Sequence, residues 1–241
     1  MKVRAMLKCI GAMSFCLLFS AMTHAASLRV SPTSLDMVAP GSAGVLTLTN
    51  EAKRPINVQI RVFRWTQANG IERLEPTNDV VVSPPSTKLS GGKDYAVRVV
   101  RVTKKPIAAE ESYRVVVDEL PDPSRKQAGT IVLVVRYSIP VFFRGQDASP
   151  PKVAWGVASR KGSLQLTARN VGDTRLRLSE VQLTQGGRVL GTREGLVGYV
   201  LGGASMQWPI GASKSISSGR VALKAQTDSG PVNADVAISG R

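Results

Sequence analysis

Beyond its first 25 residues the sequence contains no cysteine and no histidine, because Cys9, Cys16 and His24 all precede that point. This excludes disulfides, Ser-His-Asp and Cys-His catalysis and histidine-based zinc sites from the rest of the chain. The glycine pairs match no phosphate-loop or dinucleotide fingerprint, and the few acidic residues are dispersed. Two Ser-x-x-Lys spacings, at residues 90–93 and 149–152, lie in turn sequence and not at a helix start. We expect no enzyme, no metal and no cofactor.

Long apolar runs are also scarce, and the one at residues 9–22 follows three positive residues at the start of the chain. This order is typical of a signal peptide, with small residues at the positions that a signal peptidase reads before residue 26. The alternative is a retained membrane anchor, for which the run is short. We expect residues 1–25 to be a signal peptide cleaved after Ala25, and the remainder to be exported without stable membrane insertion.

Acidic residues are half as frequent as basic ones, with 17 Asp and Glu against 32 Lys and Arg, giving a net charge of +15. A charge of this size suggests a polyanion, a membrane surface or an acidic partner. The densest basic runs are only pairs, and aromatic residues do not alternate with them. The charge therefore indicates solvated strand faces, and we expect no nucleic-acid partner.

The hydrophobic pattern is that of β-structure from end to end, with no convincing helical period. Residues 44–50 alternate, and residues 56–65 place Ile56, Val58, Ile60 and Val62 on one face, the period of two of a half-buried strand. Residues 95–102 and 112–118 repeat the pattern between turn clusters. Short strands at this spacing predict an all-β sandwich.

The composition changes at residues 145–151, where Gly, Asp, Ser and Pro indicate a linker. A second alternating set follows, and it predicts strands at residues 152–158, 163–170, 176–185, 188–191, 205–210, 219–225 and 232–239. The chain thus divides into a first domain at residues 26–144 and a second at 152–241, both of ordinary sandwich size.

Residues 130–143 (TIVLVVRYSIPVFF) differ from the other predicted strands, since they are long, apolar on both faces at first and interrupted by Pro140. Apolar side chains on both faces are typical of a central strand. A proline within a strand indicates an edge or a bend, and an apolar edge strand promotes aggregation unless another element covers it. This conflict makes the segment the main candidate for a function.

Several segments, in order, resemble the PapD-like periplasmic pilus chaperones of chaperone–usher systems. In the first domain the resemblance is carried by "SPTSLDMVAPGSAGVLTLTNE", "VVSPPSTKLSGGKDYAVRVVRV", "PIAAEESYRVVVDELP" and "TIVLVVRYSIPVFFR". In the second it is carried by "GSLQLTARNVGDTRLRLSEVQL" and "TDSG". The "SIPVF" wording resembles the archaic branch of the family.

The resemblance implies two immunoglobulin-like sandwich domains in an L-shaped arrangement and a chaperone in the periplasm. Such chaperones insert apolar residues of an edge strand into pilins that lack their last strand, and by register the inserting residues here are Ile131, Leu133 and Val135. The expected partners are pilus subunits and an outer-membrane usher, and self-association of the unloaded chain is a further possibility. The alternative for these three residues is ordinary core.

The sequence departs from the family at the two cations that many members use to hold the pilin's terminal carboxylate. Those positions fall at Ser34 and Pro140, neither of which supplies a positive charge. Arg98 and Arg136 are the basic residues best placed on flanking strands, and either could equally be a solvated charge.

Glu111, Arg144 and Asp228 match family positions that form a charged network between the domains, which implies a structural role. Two other functions remain as alternatives. One is an immunoglobulin-like pilus subunit or adhesin, and the other is a carbohydrate-binding sandwich that uses Trp65, Trp155 and Trp208, although core positions suit these tryptophans better.

Overall fold

The computed structural model describes residues 28–122, 133–160, 162–212 and 219–238. Every regular element in these ranges is a β-strand, and the predicted all-β class is confirmed. No helix in this part of the chain is long and apolar enough to cross a membrane. The predicted signal peptide and Ile131 lie outside the described residues.

The strands are β1 (Leu28–Ser31), β2 (Leu35–Val38), β3 (Ala43–Asn50), β4 (Ile56–Ala68), β5 (Ile71–Pro76), β6 (Val80–Ser83), β7 (Ser86–Leu89), β8 (Asp94–Arg101), β9 (Glu111–Leu120), β10 (Arg136–Arg144), β11 (Val153–Arg160), β12 (Ser163–Asn170), β13 (Leu176–Gln185), β14 (Arg188–Val200), β15 (Ser205–Ala212), β16 (Arg220–Thr227) and β17 (Gly230–Ala237).

The first ten strands form two sheets that enclose one apolar core. One sheet has the order β1-β3-β8-β6, and the other has the order β2-β10-β9-β4-β5 with β7 also paired to β4. The chain changes sheets between β1 and β2. The predicted alternation in β4 is largely confirmed, since Ile56, Val58 and Ile60 are buried and the residues between them are exposed, whereas Val62 is only partly buried.

The last seven strands form a second pair of sheets, with the orders β11-β12-β15 and β14-β13-β16-β17. The first pair ends at Arg144 and the second begins at Val153, on either side of the predicted linker. Two strands have the predicted bounds, namely Ser163–Asn170 and Leu176–Gln185. The strand predicted at 188–191 extends to Val200.

A buried asparagine closes the same turn in both sandwiches. Asn50 ends β3, donates to the carbonyl of Arg54 (2.7 Å) and accepts from the amide of Ala52 (3.0 Å). Asn170 ends β12, donates to the carbonyl of Thr174 (2.7 Å) and accepts from the amide of Gly172 (3.0 Å). Because unpaired backbone groups are costly to bury, one side chain in each sandwich stabilises the exit from a central strand.

The two sandwiches meet through aromatic side chains. Trp65 and Phe142 belong to the first sandwich but lie in the apolar cluster of the second. The ring centroids of Trp65 and Tyr199 are 5.4 Å apart in an edge-to-face arrangement, which suits the quadrupoles of the two rings. Trp65 and Trp208 are buried and Trp155 packs against the same cluster, so all three tryptophans contribute to cores.

Candidate functional site

Strand β10 is paired along the whole of one edge except its last residue, but along only part of the other. On one side it pairs with β9 from Arg136 to Phe143, but on the other β2 pairs only with residues 141–144. The cause is the early change of sheet, because β1 has already paired with β3 and β2 begins only at Leu35. No described strand covers residues 136–140 on that side, and we call this segment the open edge. An open edge presents backbone groups to which another strand can add.

One row of side chains on β10 faces the core of the first sandwich. Ile139, Val141 and Phe143 are buried there, as the alternation of a strand requires. Tyr137 is partly buried in the same row, and its hydroxyl donates a hydrogen bond to the carbonyl of Leu28 on β1 (2.6 Å). The row therefore remains packed as far as Tyr137.

Val135 and Leu133 precede β10 and have the same parity as this row. The amide of Glu119 on β9 donates to the carbonyl of Val135 (2.9 Å), so the pairing with β9 extends at least to this residue. Val135 is half-buried, whereas Leu133 is 83% exposed, more than any other large apolar side chain that the structure describes. Two of the three predicted inserting residues thus directly precede the open edge, and one of them, Leu133, is largely exposed.

A charged cluster lies on the opposite face of the same sheet. Arg61 donates to Asp118 (2.7 Å), and Arg136 donates to the other oxygen of the same carboxylate. Burial alone would raise the pKa of Asp118, but the hydrogen bonds from the two arginines outweigh it, and the pKa lies below its ordinary value. Arg136, one of the two predicted anchors, is therefore already engaged with a carboxylate.

Arg98, the other predicted anchor, is exposed on β8, between β3 and β6 in the sheet that does not contain β10. Ser34 and Pro140 occupy the positions that the resemblance implied for two cations. Since Leu35 pairs with Val141, Ser34 and Pro140 would form the next pair of that ladder. The structure thus brings the two positions together, at the point where the open edge ends.

Arg114 was not predicted from the sequence, yet it lies beside this point. It is the partner of Pro140 on β9, and its guanidinium lies 3.7 Å from the ring centroid of Trp65. Its Nη1 donates a long hydrogen bond to the carbonyl of Ser138 (3.4 Å), so the side chain reaches across to β10. Within the described ranges no ion pair joins it to a carboxylate. Burial lowers its pKa, but an arginine remains protonated in a protein.

The structure does not bring Glu111, Arg144 and Asp228 into one network. Glu111 forms a two-point ion pair with Arg101, with both contacts at 2.8 Å, inside the first sandwich. Arg144 approaches Asp36 only to 4.0 Å. Asp228 accepts from the backbone amide of Arg177 (3.3 Å) in the second sandwich. Glu111 and Asp228 thus each have a partner within their own sandwich.

A different arginine makes the charged contact between the sandwiches. Arg175, just before β13, pairs with Glu110 and with Asp36 on β2, and its Cζ lies 3.6 Å from the ring centroid of Phe142. Burial opposes the charge on Arg175, but the two carboxylates outweigh this and raise its pKa. Glu110 directly precedes the predicted Glu111, whereas Arg175 is adjacent to none of the predicted site residues, and only the packing of the sandwiches identifies this pair.

A search of family profiles found "Pili and flagellar-assembly chaperone, PapD N-terminal domain", which matches residues 27–148, just over half of the chain. The chain belongs to this family. The resemblance inferred from the sequence motifs is therefore confirmed, and the family is one of chaperones and not of enzymes. A search among curated proteins gave no match.

Solved structures show the same fold along almost the whole chain. A chain in the CsuC–CsuE chaperone–tip adhesion subunit complex, from the archaic chaperone–usher Csu pili of Acinetobacter baumannii, is 24% identical with a TM-score of 0.68. That match covers 89% of this chain and 100% of the other. The E. coli chaperone DraB is 24% identical (TM-score 0.60; 88% and 97% covered). A chain in the Salmonella enterica SafA pilin–SafB chaperone complex is 20% identical with a TM-score of 0.61, and the match covers 89% of this chain and 98% of the other.

Proposed function

We propose that this chaperone acts in the periplasm, binds pilus subunits by donating a strand and delivers them to an outer-membrane usher. The observation that carries the proposal is the apolar row at Leu133 and Val135 beside the open edge of β10. Both residues have the parity of the core-facing row of β10, and among the described residues that strand has no neighbour on its outer side along residues 136–140. A subunit that lacks a strand needs this combination of free backbone and apolar side chains.

The energetics suit capture of an incomplete sandwich. Burying one aliphatic side chain is worth roughly 1.5–3 kcal/mol, so Leu133, Val135 and Ile131 together supply on the order of 5–9 kcal/mol before ordering costs. Backbone pairing along the open edge adds affinity without requiring a particular partner sequence. One chaperone can therefore serve several subunits.

The structural relatives support the choice of partner. Two of them are a chaperone–tip adhesion subunit pre-assembly complex and a pilin–chaperone complex. From these complexes we infer that the partner which occupies the open edge of this chain is a pilus subunit. The predicted signal peptide at residues 1–25 agrees with capture in the periplasm, where such subunits are exported.

The experiment replaces both described inserting residues with charge, as Leu133→Asp with Val135→Asp. A pilus subunit from the same genome is co-expressed with a purification tag, and the chaperone recovered with it from the periplasm is measured. We expect the double variant to fold and to lose the subunit. The matched control is Val189→Asp with Leu196→Asp, which changes two exposed apolar residues of β14 and should retain the subunit. Full co-purification of the Leu133 and Val135 variant would contradict strand donation.

A further inference from the structure

Three arginines lie at the end of the second sandwich that is opposite the linker. Arg160 ends β11, Arg188 begins β14 and Arg220 begins β16. Gln185 pairs with Arg188 across the hairpin between β13 and β14, and its side-chain amide donates to the carbonyl of Arg220 (3.4 Å). Strand β11 reaches the same end, because a parallel bridge joins it to Ile238, the residue after β17. The fold therefore collects three cations from three separate strand ends.

No carboxylate in the described part of the chain neutralises these arginines. All three are exposed, and none of them forms an ion pair with a described residue. The acidic residue nearest to this end along the strands is Asp235 on β17, and it offers Arg220 its backbone carbonyl (2.7 Å). The sequence adds no Asp or Glu at residues 161–162, 213–219 or 239–241, which join or follow these strand ends. We call Arg160, Arg188 and Arg220 the basic end.

The opposite end of the same sandwich, next to the linker, carries charges of both signs. Asp173 accepts hydrogen bonds from Ser149, and Asp228 accepts one from the amide of Arg177. Arg175 is paired with carboxylates of the first sandwich. Strands of 8 to 10 residues separate the two ends by about 25–30 Å. The basic end thus points away from the first sandwich and leaves the open edge of β10 accessible.

An exposed apolar side chain accompanies the charges. Val189 follows Arg188 at the start of β14 and is 50% exposed. Basic residues beside an exposed apolar residue are typical of protein surfaces that lie on a membrane, where the apolar group enters the boundary between headgroups and acyl chains. Residues 158–163, 185–190 and 219–222 contain no aromatic residue, whereas single-stranded nucleic acids are bound by stacking on aromatic rings. The composition of the basic end therefore favours lipid headgroups over nucleic acid.

We propose that the basic end docks this protein on a membrane surface of anionic lipids, with the three arginines against lipid phosphates and Val189 at the headgroup boundary. Cations from separate strand ends suit a surface with many anionic groups, which can meet all of them at once. The interaction is peripheral and requires no membrane-spanning segment. It goes beyond the proposed function, since it uses the second sandwich and no residue of the open edge. A chaperone held in this way keeps its first sandwich free to bind a subunit.

The experiment measures sedimentation of the protein, purified from the periplasm, with lipid vesicles at low salt. Vesicles of phosphatidylcholine alone are compared with vesicles that contain about one third phosphatidylglycerol. Each basic residue near an anionic surface strengthens binding about fivefold, so Arg160→Gln with Arg188→Gln and Arg220→Gln should weaken binding to the anionic vesicles roughly a hundredfold. Val189→Ser alone should weaken it by a smaller factor. Wild-type binding should fall steeply as salt rises from about 0.05 to 0.5 M, because salt screens exposed charges.

A matched control removes three exposed charges at the other end of the same sandwich, as Lys152→Gln with Arg169→Gln and Arg177→Gln. This variant has the same net charge as the triple variant of the basic end, and it should bind anionic vesicles nearly as tightly as the wild type. Thermal unfolding of each variant separates loss of binding from loss of fold. The variant of the basic end should still co-purify with a pilus subunit, so failure of strand donation and failure of membrane docking are distinguishable.

Four results would overturn the proposal: equal binding of the wild type to neutral and anionic vesicles, binding to neither, unchanged binding by the triple variant of the basic end, or an equal loss in the control. Soluble polyphosphate tests the competing ligand. Binding to polyphosphate without binding to anionic vesicles would assign the arginines to a free polyanion and would overturn membrane docking as well.

Discussion

The guanidinium of Arg175, in the second sandwich, lies over the ring of Phe142, in the first, with its Cζ 3.6 Å from the ring centroid. One residue thereby joins the two sandwiches by cation–π contact, and it does so by ion pairing as well, since Glu110 and Asp36 both belong to the first sandwich. Gln67 adds a polar link, with its side chain donating to the carbonyl of Tyr199 (3.0 Å) and accepting from the amide of Leu201 (2.9 Å). Relative motion of the two sandwiches requires breaking these contacts together.

Arg175→Met should destabilise the protein strongly. The side chain of Glu110 is only 1% exposed, and removing the cation leaves that carboxylate buried without its partner, which typically costs about 3–5 kcal/mol. Urea unfolding should show this loss in the free energy of unfolding. Glu110→Gln in the same protein should recover part of it. Arg177→Met, an exposed arginine two residues away, should change little. An unchanged midpoint of urea unfolding for Arg175→Met would show that this contact between the sandwiches does not contribute to the free energy of unfolding.

Asp118 should make the stability depend on acidic pH. Its pKa is lowered in the folded protein, so the ionised carboxylate stabilises the fold above its ordinary pKa of 3.8. That contribution is lost as the pH falls through the folded-state value. Asp118→Asn should therefore cost roughly 1–2 kcal/mol at pH 7, and the difference from wild type should shrink below about pH 4. The exposed Asp235→Asn is the control. A difference that stays constant from pH 7 to pH 3 would count against the arginine-bound carboxylate.

Asn50→Ala and Asn170→Ala should each destabilise their own sandwich by about 2–3 kcal/mol. Each substitution leaves buried backbone carbonyl and amide groups without partners, and an unsatisfied buried group costs about 1–3 kcal/mol. Calorimetric unfolding of the two variants, with the exposed Asn233→Ala as control, measures the loss. Equal stability of all three variants would mean that other groups or water satisfy the two turns.

The unloaded chaperone should associate with itself through the open edge. An uncovered apolar strand edge favours pairing with a second copy, and Leu133 is largely exposed there. Sedimentation velocity should show a concentration-dependent dimer for the wild type and a monomer for Leu133→Asp with Val135→Asp. Addition of a subunit should dissociate the dimer. A dimer that survives the double substitution would place self-association on another surface.

The strand positions were largely predictable from the sequence because alternation is a local signal. Strands with one buried face, such as β4, β12 and β13, were found close to their bounds. Strand β5 was not, since all six of its residues are exposed and it forms by pairing with β4 without a buried face. The length of β14 was underestimated because its glycines and exposed residues interrupt the alternation that marks a strand.

The candidate site was predictable only in part, for the same reason. The parity of Leu133 and Val135 follows from their spacing along one strand. The place of Arg114 next to Pro140 depends on the register between two strands, and that of Arg175 depends on how two sandwiches pack. Neither relationship leaves a local pattern in the sequence. The family pattern placed the interdomain charges at Glu111, Arg144 and Asp228, and the structure places the main contact at Arg175.

The most direct test of strand donation is photo-crosslinking at each position from 131 to 135. A photoreactive residue is introduced singly at these positions, and at Val189 as a distant control, and crosslinks to the co-expressed subunit are quantified. Because alternate side chains of a strand face opposite sides, the account predicts strong crosslinks at 131, 133 and 135 and weak ones at 132 and 134. Crosslinks of equal strength at all five positions, or none above the level at Val189, would contradict it.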